Sequence, residues 1–292
     1  MSAESTREEK QQRVAAMRQQ VADLARRIAD PNFGDETFRS YLQFLARFHQ
    51  YSFTNVCLIA MQCPDATYVA GFRRWLELGR YVRKGEKGIA IFVPYLSKRS
   101  QQDESTDETG AAAESSSPRA VYFGVGHVFD VSQTDGEGEV PSAFRVDLGG
   151  GGAPTHEALT RFAAAEGIEI KDGAWLSGVN SVTRGVSTGG TVYMNEEAPV
   201  DSQVQTLVHE LAHEFLHKQQ RDAMSVALKE GEAEAVTCVV MQHLGFDTSG
   251  YNADYIRSHG CTGEQIAKSM DRIATCARRI VDGIIVQSQG VA

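Results

Sequence analysis

The sequence predicts an α+β protein of two domains: an N-terminal α+β domain and a C-terminal, mainly helical domain with a small sheet. Three observations carry this. At 292 residues the chain exceeds the usual single domain. Amphipathic helical runs alternate with short β-rich runs rather than forming a repeat. The four-glycine run Gly149-Gly150-Gly151-Gly152, with Pro154 behind it, reads as a flexible linker. The expected boundaries are therefore a domain over 1–148, a linker over 149–153 and a domain over 154–292.

In chain order, residues 5–29 read as a polar helix with Val14, Met17, Val21, Leu24 and Ile28 at spacings of three or four. Pro31 and Gly34 end it. A second helix starts near Asp35 and places Phe38, Tyr41, Leu42, Leu45 and Phe48 on one face. Residues 52–62 form a third, short and buried. Residues 67–70 read as strand, and 72–78 as a helix stopped by Gly79. Strands follow at 89–95 and 121–131.

Residues 98–119 differ in kind, with glutamines, serines and acids but no large apolar side chain. Such a segment cannot bury enough surface to offset its ordering entropy, so it is expected to be a disordered insert within one domain. Past the linker, 155–166 is helical, 168–170 and 191–195 are strand-like, and 201–220 is an amphipathic helix with Asp201 or Ser202 as N-cap. Residues 223–244 form a second long helix stopped by Gly245, followed by helices near 251–258 and 262–286.

Composition excludes several classes. Hydrophobic residues make up 42%, enough for real cores. No apolar stretch approaches the roughly 20 residues needed to cross a bilayer, so no membrane partner is expected. The charged, Gln-rich stretch 1–30 has no apolar core of a secretory signal. Five scattered cysteines, none in a Cys-x-x-Cys pair, indicate reduced thiols and a cytoplasmic protein. The net charge of −9 hides an asymmetry. Residues 39–98 hold nine Lys/Arg against three Asp/Glu, a balance of +6, whereas 99–292 hold fourteen against twenty-eight, a balance of −14. A basic half within an acidic chain points to a polyanionic partner.

The run His209-Glu210-Leu211-Ala212-His213 carries chemistry. Residues four apart on a helix share a face, so His209 and His213 can aim two imidazoles at one ion, and Glu210 can reach a bound water as general base. At the composition of this chain, about 0.02 such motifs arise by chance. The apolar body Val204, Leu207, Val208, Leu211, Ala212, Phe215 and Leu216 suits a buried active-site helix. His217 lies about 12 Å from His209 along a straight helix axis, too far to share the ion, and reads as an orienting or surface residue. The next helix offers Glu230, Glu232 and Glu234. Glu230 is the favoured third ligand; Glu234, on the same face, could hold a histidine N–H, and Glu232 points away. The strand at Val192-Tyr193-Met194 is a candidate edge for a peptide added in β-register, and Tyr193 a candidate donor to an oxyanion.

Two stretches resemble known families. The run 207–217, followed by 230–236, resembles the zinc peptidases of the ImmA/IrrE type. That resemblance implies a zincin-like C-terminal domain holding Zn2+, or another divalent transition metal, on His209, His213 and Glu230, with Glu210 catalytic. Those peptidases usually carry Asn or Asp where this chain has Glu234. The runs Tyr51-Ser52-Phe53-Thr54-Asn55, Pro64-Asp65-Ala66-Thr67, 69–75, 79–89 and 128–134 resemble the N-terminal domain of ArdC-type antirestriction proteins. That implies a plasmid-associated protein with an N-terminal domain that binds single-stranded DNA and shields incoming DNA from restriction enzymes.

The residues themselves support a nucleic-acid surface. Arg73, Arg74, Arg80, Arg83, Lys84 and Lys87 lie among Phe72, Trp75 and Tyr81, pairing cations for phosphates with aromatic faces for bases. The alternative is an ordinary basic surface over core aromatics; helical spacing pairs Trp75 with Phe72. Three functions follow: an antirestriction protein that binds single-stranded DNA and carries a peptidase-like site, an endopeptidase delivered by DNA to a protein substrate, or a DNA-binding protein whose metal only holds the fold.

Overall fold

The computed structural model describes residues 3–29, 35–96, 121–140, 151–174, 184–219, 224–248 and 263–289. It is a mixed α+β fold in which each half has its own small sheet. The insert expected at 98–119, residues 149 and 150 of the glycine linker and the helix expected at 251–258 lie outside the described residues.

The N-terminal half begins with α1 (Ala3–Ala29), α2 (Asp35–Arg47) and α3 (Phe53–Gln62). Ser52 caps α3 by accepting the Asn55 amide at 3.4 Å. Strands β1 (Val69–Ala70), β3 (Ile89–Leu96) and β4 (Val121–Asp130) form an antiparallel sheet in the order β1-β4-β3. Because Leu96 pairs with Val121, residues 97–120 connect the two strands of one hairpin.

Strand β3 is a sheet edge, yet its backbone is not left open there. The Asn55 amide group both donates to the Phe92 carbonyl (2.9 Å) and accepts its N–H (2.8 Å). Gln62 does the same for Ala90, at 2.9 Å each way. Two side chains of α3 thus cap the row of groups that would otherwise recruit another strand. Helix α4 (Phe72–Glu77) leads into a two-stranded ribbon of β2 (Arg80–Val82) with β5 (Thr134–Gly136). Each ribbon strand has only three residues, too few to show the alternation that marks a strand in sequence.

The C-terminal half holds α5 (Gly152–Ala165), β6 (Glu169–Asp172), β7 (Gly185–Ser187), β8 (Thr191–Met194), α6 (Val200–His217), α7 (Val226–His243) and α8 (Gly263–Gln289). Helix α5 starts at Gly152, inside the expected linker, with Gly151 at φ 85° turning the chain into it. Helix α6 starts at Val200 after Pro199, which has no side-chain cap, so neither Asp201 nor Ser202 is the N-cap. Asp201 instead lies in the first turn, where its charge faces the positive end of the helix dipole.

The two halves are packed together. Helix α1 lies on α8, α2 on α7, and α3 on α8. One continuous core runs from Met17, Leu45 and Ile59 to Val236, Ile273 and Ile280. Four described cysteines, Cys57, Cys63, Cys238 and Cys276, are free thiols. Among the described residues no helix is long and apolar enough to cross a membrane.

Candidate metal centre

Helices α6 and α7 pack side by side and bring the predicted residues together. His209 Nε2 and His213 Nε2 are 3.1 Å apart. Glu230 Oε2 lies 3.3 Å from His209 Nε2, and Glu230 Oε1 lies 3.5 Å from His213 Nε2. Among the described residues this is the one group of three histidine, cysteine or acidic side chains whose donor atoms all fall within 4.8 Å. Two imidazoles and one carboxylate suit a borderline divalent ion with a position left for water. Side-chain exposures of 18%, 15% and 30% leave the cluster reachable at the surface.

Electrostatics bind the cluster together without an ion. Hydrogen bonds from His209 and then His213 hold the Glu230 carboxyl well below the usual carboxylate range. Burial pulls the His209 pKa down, but Glu230, Glu234 and Glu210 outweigh it and leave the ring easier to protonate than a free histidine. His209 Nδ1 lies 3.6 Å from Glu234 Oε1, so Glu234 stands behind the ring as the sequence suggested.

Glu210 is buried beside the cluster, and that burial raises its carboxyl pKa. Strand β7 crosses directly over it. A Cβ at Gly185 would stand 2.6 Å from Thr206 Cγ2 and 3.0 Å from Glu210 Oε1, so only glycine lets the strand pass this close. The next acid, Glu214, fixes the same strand's turn. It accepts the Ser187 hydroxyl (2.6 Å) and the amides of Gly189 and Gly190 (2.7 Å each).

One sequence expectation changes and two gain detail. The strand 192–194 is not an edge: β8 is central, paired in parallel with β6 and antiparallel with β7. The edge nearest the cluster is β7, and Tyr193 is half-buried between its neighbours. His217 is neither a surface residue nor in contact with the ion position; it is buried, with Nδ1 2.9 Å from His213 Nδ1. Glu232 points away from the cluster as expected, but into the core, where its Oε2 lies 3.0 Å from His217 Nε2. Sequence spacing could not show this, because the pair joins two helices.

The nucleic-acid candidates sort into three groups. Trp75 is fully buried, donates its indole N–H to the Phe129 carbonyl (3.0 Å) and packs edge-on to Tyr68; it is core and offers no face to a base. Arg80 spends its guanidinium on the ribbon, donating to Thr134 Oγ1 (3.0 Å) and to the carbonyls of Thr134, Gly136 and Gly138. Arg83 pairs with Glu86 (2.8 Å) and Asp135 (3.4 Å), and Arg74 with Glu77 (3.0 Å). Arg73, Lys84 and Lys87 are exposed and have no ion-pair partner among the described residues. Phe72 and Tyr81, 51% and 54% exposed, are the open aromatic faces beside them.

Residues 7–129 match the model of the N-terminal domain of anti-restriction factor ArdC. An uncharacterized protein of Bacillus anthracis is 28% identical over 275 residues; that match covers 82% of this chain, which spans about 46% of the relative's length. The metal-free crystal structure of the antirestriction ArdC protein from the R388 plasmid is 22% identical, covering 82% of this chain and 85% of that one, with a TM-score of 0.45. Its Mn(II)-bound counterpart is 24% identical over the same shares, with a TM-score of 0.41. Residues 7–129 thus belong to the family of the N-terminal domain of anti-restriction factor ArdC.

Proposed function

We propose that this chain is an antirestriction protein that binds single-stranded DNA through its N-terminal half and carries a metallopeptidase-like site in its C-terminal half. The observation that carries the second part is the convergence of His209, His213 and Glu230 beside a buried Glu210. The donor set fits Zn2+ or another divalent transition metal, which these three residues would hold. When bound, such an ion makes water more acidic and polarises a carbonyl. Glu210 is placed to take up a proton and return it to a leaving group, and its raised pKa suits both tasks. A purely structural site has no use for that carboxylate, so Glu210 favours retained chemistry on a protein substrate.

The first part rests on the family of residues 7–129 together with the exposed set Phe72, Arg73, Tyr81, Lys84 and Lys87. Cations can follow phosphates while the aromatic rings stack on unpaired bases.

A Glu210→Gln comparison tests the reading. The variant keeps the ligands and loses the base, so metal content should stay near one ion per chain and any peptide hydrolysis should fall at least ~100-fold. Protection of incoming DNA in a restriction assay should persist if shielding is by binding. Loss of protection with metal and DNA binding intact would make proteolysis part of the mechanism instead. Absence of stoichiometric metal in the wild type would remove the site altogether.

A further inference from the structure

We infer that one face of β4 is a stacking platform for unpaired bases, which carries single-stranded DNA beyond the Phe72–Tyr81 surface toward α1 and sets its phosphates against Arg13 and His127. The inference rests on the DNA-binding reading above and deepens it.

Strand β4 is patterned the wrong way round for a half-buried strand, whose large side chains belong on the covered face. Successive residues point to opposite faces, so Phe123, Val125, His127 and Phe129 share one face and Gly124, Gly126 and Val128 the other. The face that buries Val128 carries the glycines. There the side chains of β3 fold across them: a Cβ at Gly126 would stand 2.9 Å from Val93 Cγ1, and one at Gly124 2.7 Å from Tyr95 Cε2. The opposite face keeps its rings open. Phe123 is 54% exposed, His127 is exposed and Phe129 is half-buried. A row of open rings along one strand face marks a contact surface rather than a core. Gly88 keeps the near end of the row clear, since a Cβ there would stand 3.0 Å from both His127 Cβ and Phe129 Cζ. Lys87 precedes it, so the row continues from the exposed Lys84 and Lys87.

The charge beside the row is positive. Arg13 of α1 reaches His127 with Nη2 3.4 Å from its Nε2, and Arg18 of the same helix stands 5.9 Å over the ring of Phe92, the residue paired with Val125. Both arginines are exposed, and neither has an ion-pair partner among the described residues. A guanidinium only donates, and the contact with His127 uses one of its five N–H groups, so Arg13 keeps the rest for a phosphate. From Phe129 to Phe123 the row is about 20 Å long at about 3.4 Å per residue. Spaced rings under flanking cations suit a single strand, whose bases have free faces and whose backbone is anionic.

The test uses the full chain and an oligo(dT) of about 20 nucleotides, longer than the roughly 4–16 that one small single-strand-binding fold covers. With 5-iodouracil in place of single thymines, photocrosslinks should map to Phe123 or His127 as well as to Phe72 or Tyr81. Phe123→Ala should weaken binding about 5–100-fold at every salt concentration. Arg13→Ala should flatten the log–log salt slope by about 0.7. Both side chains are exposed, so neither variant should lower the melting temperature. Crosslinks confined to Phe72 and Tyr81, with wild-type affinity and slope in both variants, overturn the platform and leave the DNA reading standing. A lowered melting temperature in Phe123→Ala with an unchanged slope in Arg13→Ala also overturns it, because the row is then ordinary packing. Tighter binding of oligo(U), lost in the same variants, would give the platform to RNA instead. A wild type that binds no oligo(dT) at all overturns both the platform and the DNA reading.

Discussion

His49 and His243 stack against each other in the core, ring centroids 4.3 Å apart and planes at 59°. His49 follows α2 and His243 ends α7, so the pair marks where the N-terminal helices meet the C-terminal ones. His243 Nδ1 donates to the Ala46 carbonyl at 3.0 Å, and Arg278 Nε donates to the His49 carbonyl at 2.8 Å. Both rings are buried, and among the described residues no hydrogen bond reaches either nitrogen of His49. The Asp282 carboxylate, 3.8 Å from His49 Nε2, is the nearest counter-charge.

The pair makes stability fall with acid. Burial, then the neighbouring His243 and Arg278, lower the His49 pKa from 6.5 to about 4, and burial lowers that of His243 too. Between pH 6.5 and 4 the unfolded chain binds protons that the folded chain refuses, so stability is full above pH 6.5 and declines below it. The slope for one such group approaches about 1.4 kcal/mol per pH unit. Urea melts from about pH 7.5 to 4.5 should show this decline, and His49→Phe should flatten it. An unchanged slope in the variant would show that other groups carry the acid sensitivity.

Glu214 should prove structural rather than catalytic. It gathers one hydroxyl and two amides at the β7–β8 turn from within a buried site. Glu214→Ala leaves those donors without their acceptor, at a cost of about 1–3 kcal/mol. Hydrogen exchange at the Gly189 and Gly190 amides should accelerate more than exchange in α7. Protection unchanged at both glycines would refute the assignment.

The ligand set is tested by order of damage. His209→Ala and Glu230→Ala should each abolish stoichiometric metal binding. Glu232→Ala should only weaken it, since Glu232 contacts His217 and does not face the ion position. Metal analysis on purified variants gives the ranking, and a larger loss at 232 than at 230 would exchange their roles.

What sequence could and could not reveal follows from range. His209, His213 and Glu230 were legible because helical spacing is local and both helices are long enough to show their faces. The burial of His217 was not, because its partners Glu232 and Arg272 come from two other helices. The place of β8 in its sheet was equally hidden, since strand order is set by pairing across the chain. Trp75 was ambiguous for a different reason: α4 is six residues long, too short for its apolar stripe to separate core from surface.

Removing residues 100–117 should leave the fold and metal content intact. The flanking strands already pair as far as Leu96 and Val121, and the six residues left between them suffice for a hairpin turn. Because the cut removes acids near the basic half, single-stranded DNA should bind equally well or more tightly. A large drop in melting temperature would show instead that the segment contributes to the core.

The DNA surface is best tested by contrasting charges that are free with charges that are spent. Arg73, Lys84 and Lys87 have no ion-pair partner among the described residues, whereas Arg80 is held by four hydrogen bonds along the β2–β5 ribbon. Removing one cation from a phosphate of a single strand should reduce the log–log salt slope by about 0.7. The triple Ala variant of Arg73, Lys84 and Lys87 should therefore flatten the slope by about two units without loss of melting temperature. Arg80→Ala should lower the melting temperature more than it changes the slope. Phe72→Ala and Tyr81→Ala should each weaken binding by about 1–3 kcal/mol at every salt concentration, as stacking on bases predicts. Trp75→Ala should behave as a core truncation, costing about 3–5 kcal/mol of stability. If the triple variant keeps its slope while Arg80→Ala loses it, the strand of DNA runs along the ribbon and the free cations are ordinary surface charge.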